Sequence, residues 1–338
     1  GLVHSYLYPR HELEIAELAK SLGFTNISLS HCVLPRCGLV DRLGTTVADA
    51  FLAPVLAAYV EQLIGQLPAG TELRLFKSSG GLSQPADLLA VDAVLSGPAG
   101  GAVACAEFAG ELGLAAVIGL DMGGTSSDVC RWAGALEIRD RVELAGREIH
   151  CQAVDVVTVA AGGGSLLTRR MGRLQVGPGS AGSRPGPACY GAGGPAALTD
   201  ANLVLGRLQV DRFPHSFGPS GAAALDPEAS ARALLDCAGA EEVELLELAA
   251  GFVAIANQRM AEAISEVSTA RGHDPREHAL IAFGGAAAQH VCAVAEQLGI
   301  GHVVLPPMAG LLSAWGISRA KLHASRRQAV DLVWSAEE

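Results

Sequence analysis

Charge, aromatic rings and paired cysteines are what this 338-residue sequence has least of. Charged residues make up 17% of it, below the roughly 25% usual for soluble domains, whereas hydrophobic residues reach 50%. Such a chain can bury a large core or give part of its surface to a partner. The net charge of −11, the absence of any basic run and the 4% aromatic content argue against nucleic acid and against an anionic membrane surface. No uninterrupted apolar stretch approaches the roughly 18 residues that span a bilayer, so no membrane association is expected. The eight cysteines form no CxxC, which removes the zinc-finger and thioredoxin spacings; free thiols in a reducing, cytoplasmic setting are the expectation. The start, Gly1-Leu-Val-His-Ser-Tyr6, has neither an initiator Met nor a basic-then-apolar leader, and a fragment of a longer chain is expected. No Gly-Lys-Ser/Thr P-loop is present either, and the glycine turn after Asp121 is not a dinucleotide GxGxxG.

Glycine turns stand in their place. The apolar run Leu114 to Leu120 ends on Asp121 and continues Met-Gly-Gly-Thr-Ser-Ser-Asp128. It reads as a buried strand followed by a tight hairpin. Gly123 and Gly124 allow a turn and a close ligand, and Thr125, Ser126 and their amides can donate to phosphate oxygens. Asp121 and Asp128 supply hard oxygens for a magnesium ion. A second strand, from Asp155, runs into Gly162, Gly163, Gly164 and Ser165; a third, Ala279 to Phe283, runs into Gly284 and Gly285 ahead of helical text. A strand, a glycine turn and a hydroxyl or helix start, three times over, predict a nucleotide cleft.

Elsewhere the pattern predicts helices over His11–Leu22 and Thr45–Leu67, the second kinked or divided at Pro54, and a short strand at Ile27. Residues 172–194, rich in Gly and Pro, read as an irregular substrate-side loop. The long helix from Leu246 is core packing, with Asn257, Arg259 and Glu262 on an outer charged face. Alternating strands and helices imply an α/β fold.

Together these residues resemble the hydantoinase A/5-oxoprolinase family of the actin-like ATPase superfamily. The resemblance runs through Asp121–Asp128, Ala161–Ser165, Arg184-Pro-Gly-Pro-Ala-Cys-Tyr190, Leu198–Arg207, Phe283–Ala286 with Gln289-His290, and Ala309–Ala314. Phe213–Pro219 and Gly38–Arg42 point to the 5-oxoprolinase-like branch. The resemblance implies actin-like (ribonuclease H-like) ATPase lobes with mixed sheets flanked by helices. It divides the chain into residues 1–42, the tail of an N-terminal region otherwise lacking, and an ATPase domain over 43–330.

The implied activity is ATP-dependent ring opening of a cyclic amide such as 5-oxoproline or a hydantoin, with ATP and Mg2+ as cofactors. The β/γ-phosphates would lie on Gly123, Gly124, Thr125 and Ser126, with Gly162 to Ser165 as a second grip and Gly284 and Gly285 against the nucleoside. Asp121 and Asp128 are the magnesium candidates, and Asp155 is the candidate for polarising the nucleophile. The resemblance also implies a hydantoinase B-type subunit or domain as partner, and an oligomer. Two other readings stand beside it: a ketone carboxylase subunit using ATP, and a nucleotide-binding module without turnover.

Overall fold

The computed structural model describes residues 1–218, 220–239, 243–325 and 329; the expected domain end at 330 lies outside them. The chain forms two compact units. One comprises Gly1–Val103, Glu137–Asp155 and Ile317–Glu338, the other Ala104–Leu136 and Val156–Gly316. The α/β, actin-like class with mixed sheets and flanking helices is what the structure shows.

The second unit is built on a five-stranded mixed sheet in the order His302–Val304, Ala279–Phe283, Val117–Met122, Ser127–Trp132, Val156–Val159. The first three run parallel; Ser127–Trp132 is antiparallel to its neighbours on both sides. Val117–Met122 sits in the middle, and its apolar run is almost wholly buried, as expected for a strand covered on both faces. The helix Leu245–Val267 packs Leu248, Phe252, Val253, Ala256, Met260 and Ile264 into the same core. Its neighbour Asn257 is also buried, not on an outer face as the sequence reading has it: its Oδ1 pairs with His290 Nδ1 at 2.7 Å. Burial pushes the His290 imidazole down to about 4, so it is a neutral core histidine.

The glycine- and proline-rich stretch at 172–194 is more ordered than its composition suggests. Arg173–Ser180 is a strand paired with Ser165–Arg170, because Leu174 and Val176 alternate with polar residues and Val176 faces the core. The remainder is held by Asp200. Its buried carboxylate accepts from the amides of Ala188 (3.1 Å), Cys189 (2.8 Å) and Ala197 (2.8 Å) and from Ser230 Oγ (2.7 Å).

The first unit departs from expectation at three places. Ile27 lies in irregular chain leading to a helical turn, Ser30–Val33, so the expected strand is absent. One uninterrupted helix spans Leu39–Gln66 and passes through Pro54; a proline removes only one amide bond of the ladder, and the flanking turns hold. Its buried residues are Arg42, Thr45, Thr46 and Asp49, while Val40, Val47, Phe51 and Val55 are exposed. The third departure concerns membranes. This helix is long and apolar enough to cross one, by length and composition alone, because Ala, Leu and Val outweigh its few scattered charges although no unbroken apolar run reaches that length.

Candidate functional site

The hairpin after the central strand is closed by the Gly123 amide donating to the Ser126 carbonyl at 3.1 Å, with Asp121 opposite Asp128 and Met122 opposite Ser127 in the antiparallel register. Gly124 and Thr125 are exposed and Gly123 and Ser126 half-buried. Among the described residues the amides of Gly124, Thr125 and Ser126 donate to no protein group. Three consecutive open N–H groups beside two hydroxyls make a donor surface of the kind that grips anions.

The second glycine turn meets this hairpin backbone to backbone. Gly163 and Gly164 donate their amides to the carbonyls of Gly123 (3.0 Å) and Gly124 (2.6 Å). A Cβ on Gly162 would stand 2.5 Å from the Thr125 carbonyl carbon and 2.6 Å from the Ser126 amide nitrogen, a distance that only glycine permits. The Gly162 amide donates to Ser165 Oγ at 2.8 Å and the Ser165 amide to the Gly162 carbonyl at 3.0 Å. Gly162 to Ser165 are buried with their amides engaged, so this turn is a brace behind the first and not an open row of donors. Thr199 ties it down further, its amide and its Oγ1 both 2.8 Å from the Gly163 carbonyl.

The third turn arrives from the neighbouring parallel strand. Gly284 has φ +82°, and a Cβ there would lie 2.4 Å from Asp121 Oδ1 and 2.5 Å from the Met122 carbonyl. Its amide donates to the Ala309 carbonyl at 2.9 Å and that of Ala286 to the Met122 carbonyl at 3.0 Å, leaving Gly285 exposed. All three predicted turns therefore come together at the end of one strand. Asp155 falls within the first unit, 3.9 Å from Arg139 Nη1, with its amide donating to the Glu137 carbonyl.

Both hairpin carboxylates are partly withdrawn from water, and burial raises the Asp121 pKa against the bond that Ser313 Oγ donates at 3.1 Å; the negative charge of Asp128 raises it further. Asp128 is likewise raised by burial, opposed by Thr158 Oγ1 donating at 2.6 Å. Two half-buried carboxylates that repel one another favour a cation between or beside them. No group of three or more His, Cys, Asp or Glu among the described residues could hold a metal, so the donor set is two carboxylates only. That set fits Mg2+, which keeps several waters and is bound through one or two carboxylates plus substrate phosphates. Ser313, Thr158 and Thr199 are the residues that sequence reasoning leaves without a role. Ser313 stands within the Ala309–Ala314 stretch that carries the resemblance, yet nothing local ties it to a carboxylate 192 positions away.

The sequence model of the hydantoinase/oxoprolinase family matches residues 42–326. The chain belongs to this family. The 5-oxoprolinase 1 of Arabidopsis thaliana is 39% identical over 99% of the chain, which spans 28% of that protein. Caprolactamase subunit alpha of Pseudomonas jessenii is 36% identical over 94% of the chain and 46% of its own length; the crystal structure of the ATP-dependent caprolactamase from that organism superposes with a TM-score of 0.77 at 35% identity, covering 93% of this chain and 46% of that one. The nucleotide-free structure of acetone carboxylase, described as carrying out ATP-dependent acetone carboxylation, gives a TM-score of 0.78 at 25% identity over 95% of this chain and 46% of that one.

Proposed function

We propose that this chain carries the phosphate- and metal-binding turns of an ATP-dependent cyclic amidohydrolase acting on a ring such as 5-oxoproline or a hydantoin. The observation that carries the reading is the set of open amides at Gly124, Thr125 and Ser126 beside the Asp121–Asp128 pair. A lactam resists water because its amide is resonance-stabilised. ATP supplies the phosphoryl group that makes the carbonyl oxygen a leaving group, and Mg2+ offsets the charge that this develops. Gly123, Gly124, Thr125 and Ser126 would orient the β/γ-phosphates through N–H and O–H donors. Gly162 to Ser165 would contribute by holding that hairpin rigid, and Gly284 and Gly285 would border the nucleoside. Asp121, oriented by Ser313, and Asp128, oriented by Thr158, would hold the cation. Asp155 is the residue to test as the group that polarises the nucleophile. A hydantoinase B-type subunit or domain as partner, an oligomer and a cytoplasmic location belong to the same proposal. The caprolactamase relative, itself called a subunit alpha, supports the partner.

Two alternatives stand beside it: a ketone carboxylase subunit, which the likeness to acetone carboxylase supports, and a nucleotide-binding module without turnover of its own. Calorimetric titration with Mg-ATP decides the shared element: we expect binding that Asp121→Ala abolishes. Binding unchanged in Asp121→Ala, or none by a folded chain, would defeat the reading. Phosphate release with 5-oxoproline, against release with a ketone and bicarbonate, then separates the two enzymes. Both are measured with a hydantoinase B-type partner added, and Asp155→Asn should lower the former.

A further inference from the structure

The first unit contains a second glycine hairpin that the nucleotide reading does not use. Its strands are Leu75–Phe76 and Leu82–Ser83, and Lys77-Ser-Ser-Gly-Gly81 forms the turn. The Gly80 amide donates to the Lys77 carbonyl at 2.9 Å and the Lys77 amide to the Gly81 carbonyl at 2.8 Å, with Gly80 at φ +85°. Ser78 anchors the turn from beneath. Its amide donates to the Asp92 carbonyl (2.6 Å), its carbonyl accepts from Val154 (2.7 Å) and its Oγ from the Leu95 amide (2.9 Å). At Gly81 a Cβ would fall 2.5 Å from that of His323, so glycine is what lets the segment around residue 323 lie against the turn.

Lys77 is the anomaly. It is only 8% exposed, yet its ammonium donates to one protein group among the described residues, the His323 carbonyl at 2.9 Å, and no carboxylate there pairs with it. A lysine ammonium has three donors, and lysines buried to this extent are almost always paired with an anion. Ser79 is half-exposed; its hydroxyl and the amides of Ser79 and Gly81 likewise have no protein partner among the described residues. We propose that the Lys77–Gly81 hairpin is an oxyanion-binding site, taking a carboxylate or phosphoryl group on the Lys77 ammonium with support from Ser79 and the turn amides. The site does not depend on the nucleotide reading. Were Lys77 merely a staple for the segment at residue 323, removing it would lower the melting temperature and leave oxyanion affinity unchanged.

The test is calorimetric titration with three probes: inorganic phosphate, the carboxylate of 5-oxoproline, and neutral 2-pyrrolidinone. Each is titrated into the wild type, Lys77→Met, Ser79→Glu and Thr125→Ala. Phosphate or 5-oxoproline should bind the wild type with a component that Thr125→Ala leaves in place and that the two hairpin variants weaken at least about tenfold, the loss expected when hydrogen bonds to a charged group are removed. The neutral ring should give no heat, and whichever anion binds more tightly identifies the source of the oxyanion. Ser79→Glu places a rival carboxylate at a half-exposed position, so it decides the matter even if Lys77→Met fails to fold. Anion affinity unchanged in folded Ser79→Glu, no anion binding by the wild type, or binding lost only in Thr125→Ala would overturn the proposal.

Discussion

The two long helices of this chain are assembled in opposite senses. Leu245–Val267, in the second unit, buries Phe252, Met260 and Ile264 and turns Gln258 and Glu262 to water, 3.0 Å apart. Leu39–Gln66, in the first unit, buries Arg42, Thr45, Thr46 and Asp49 and leaves Phe51 77% exposed. The first arrangement is held by area removed from water. The second is held by matched polar partners: Arg42 donates to Ser30 Oγ (3.1 Å), to the Arg36 carbonyl (2.7 Å) and to the carbonyls of Leu2 and Val3, while Asp49 accepts from Ser28 Oγ (2.7 Å) and the Ala90 amide (2.9 Å). An apolar composition therefore does not say which face of a helix is inside. Where inner positions are charged, every donor needs a named acceptor, and the apolar residues go outward. Exposed apolar stripes mark contact surfaces in proteins generally.

The comparison breaks first at Phe252. Phe252→Ala should destabilise the second unit by about 3–5 kcal/mol, the range for emptying a buried ring site, read as a lowered midpoint in chemical denaturation; a loss below about 1 kcal/mol would mean that this core is not what holds the unit. Next comes Gly162→Ala, which forces a methyl into the Thr125–Ser126 backbone. Overpacking of this kind costs about 1–3 kcal/mol, and Mg-ATP affinity should fall with it. Affinity retained in the folded variant would separate the brace from the site.

Acid should set the two units apart by a smaller margin. Burial would raise the Glu12 pKa, but hydrogen bonds from His31 and Ser30 hold it at about 2, below its ordinary 4.5. Its stabilising contribution is complete above 4.5 and disappears as the pH falls towards 2. Asp121 and Asp128 are raised, so their sign is reversed. They weigh against the fold once ionised, and protonation relieves them as the pH falls through their raised values. Hydrogen exchange followed from pH 7 downwards should show loosening around Ser30 and Arg42 before any at the 121–128 hairpin. Glu12→Gln should flatten that response, and an unchanged acid profile in this variant would remove Glu12 as its cause. Without magnesium, Asp121→Asn should be slightly more stable than the wild type at neutral pH. The smallest effect is expected at Phe51, where Phe51→Ser should shift stability by no more than about 0.5 kcal/mol, as for most surface positions. A larger loss in a thermal melt would mean that the outer face is covered in solution.

Much of the sheet unit is legible in the sequence. The apolar runs ending at Asp121, at the Gly162 turn and at Gly284 each become strands of one sheet, because a short β-branched run stopped by glycines has few other stable outcomes. The first unit is less legible. Pro54 does not end its helix, and Ile27 forms no strand, because tertiary contacts outweigh local preference where neighbouring turns are already held. Arg173–Ser180 becomes a strand through pairing with Ser165–Arg170, an interaction that glycine content alone conceals.

By itself the sequence determined the kind of element at each glycine turn, the residue types available to grip phosphate and a cation, and the family to which they belong. These are properties of short stretches, set by side-chain volume, backbone freedom and spacing. Only the tertiary structure decided that Gly163 and Gly164 donate to the carbonyls of Gly123 and Gly124, that Ser313 supports Asp121 from 192 residues away, that Asp155 pairs with Arg139, and that Lys77 is buried with no carboxylate paired to it among the described residues. Each of these depends on which strands pair and in what register, and no local pattern records a pairing across the length of the chain.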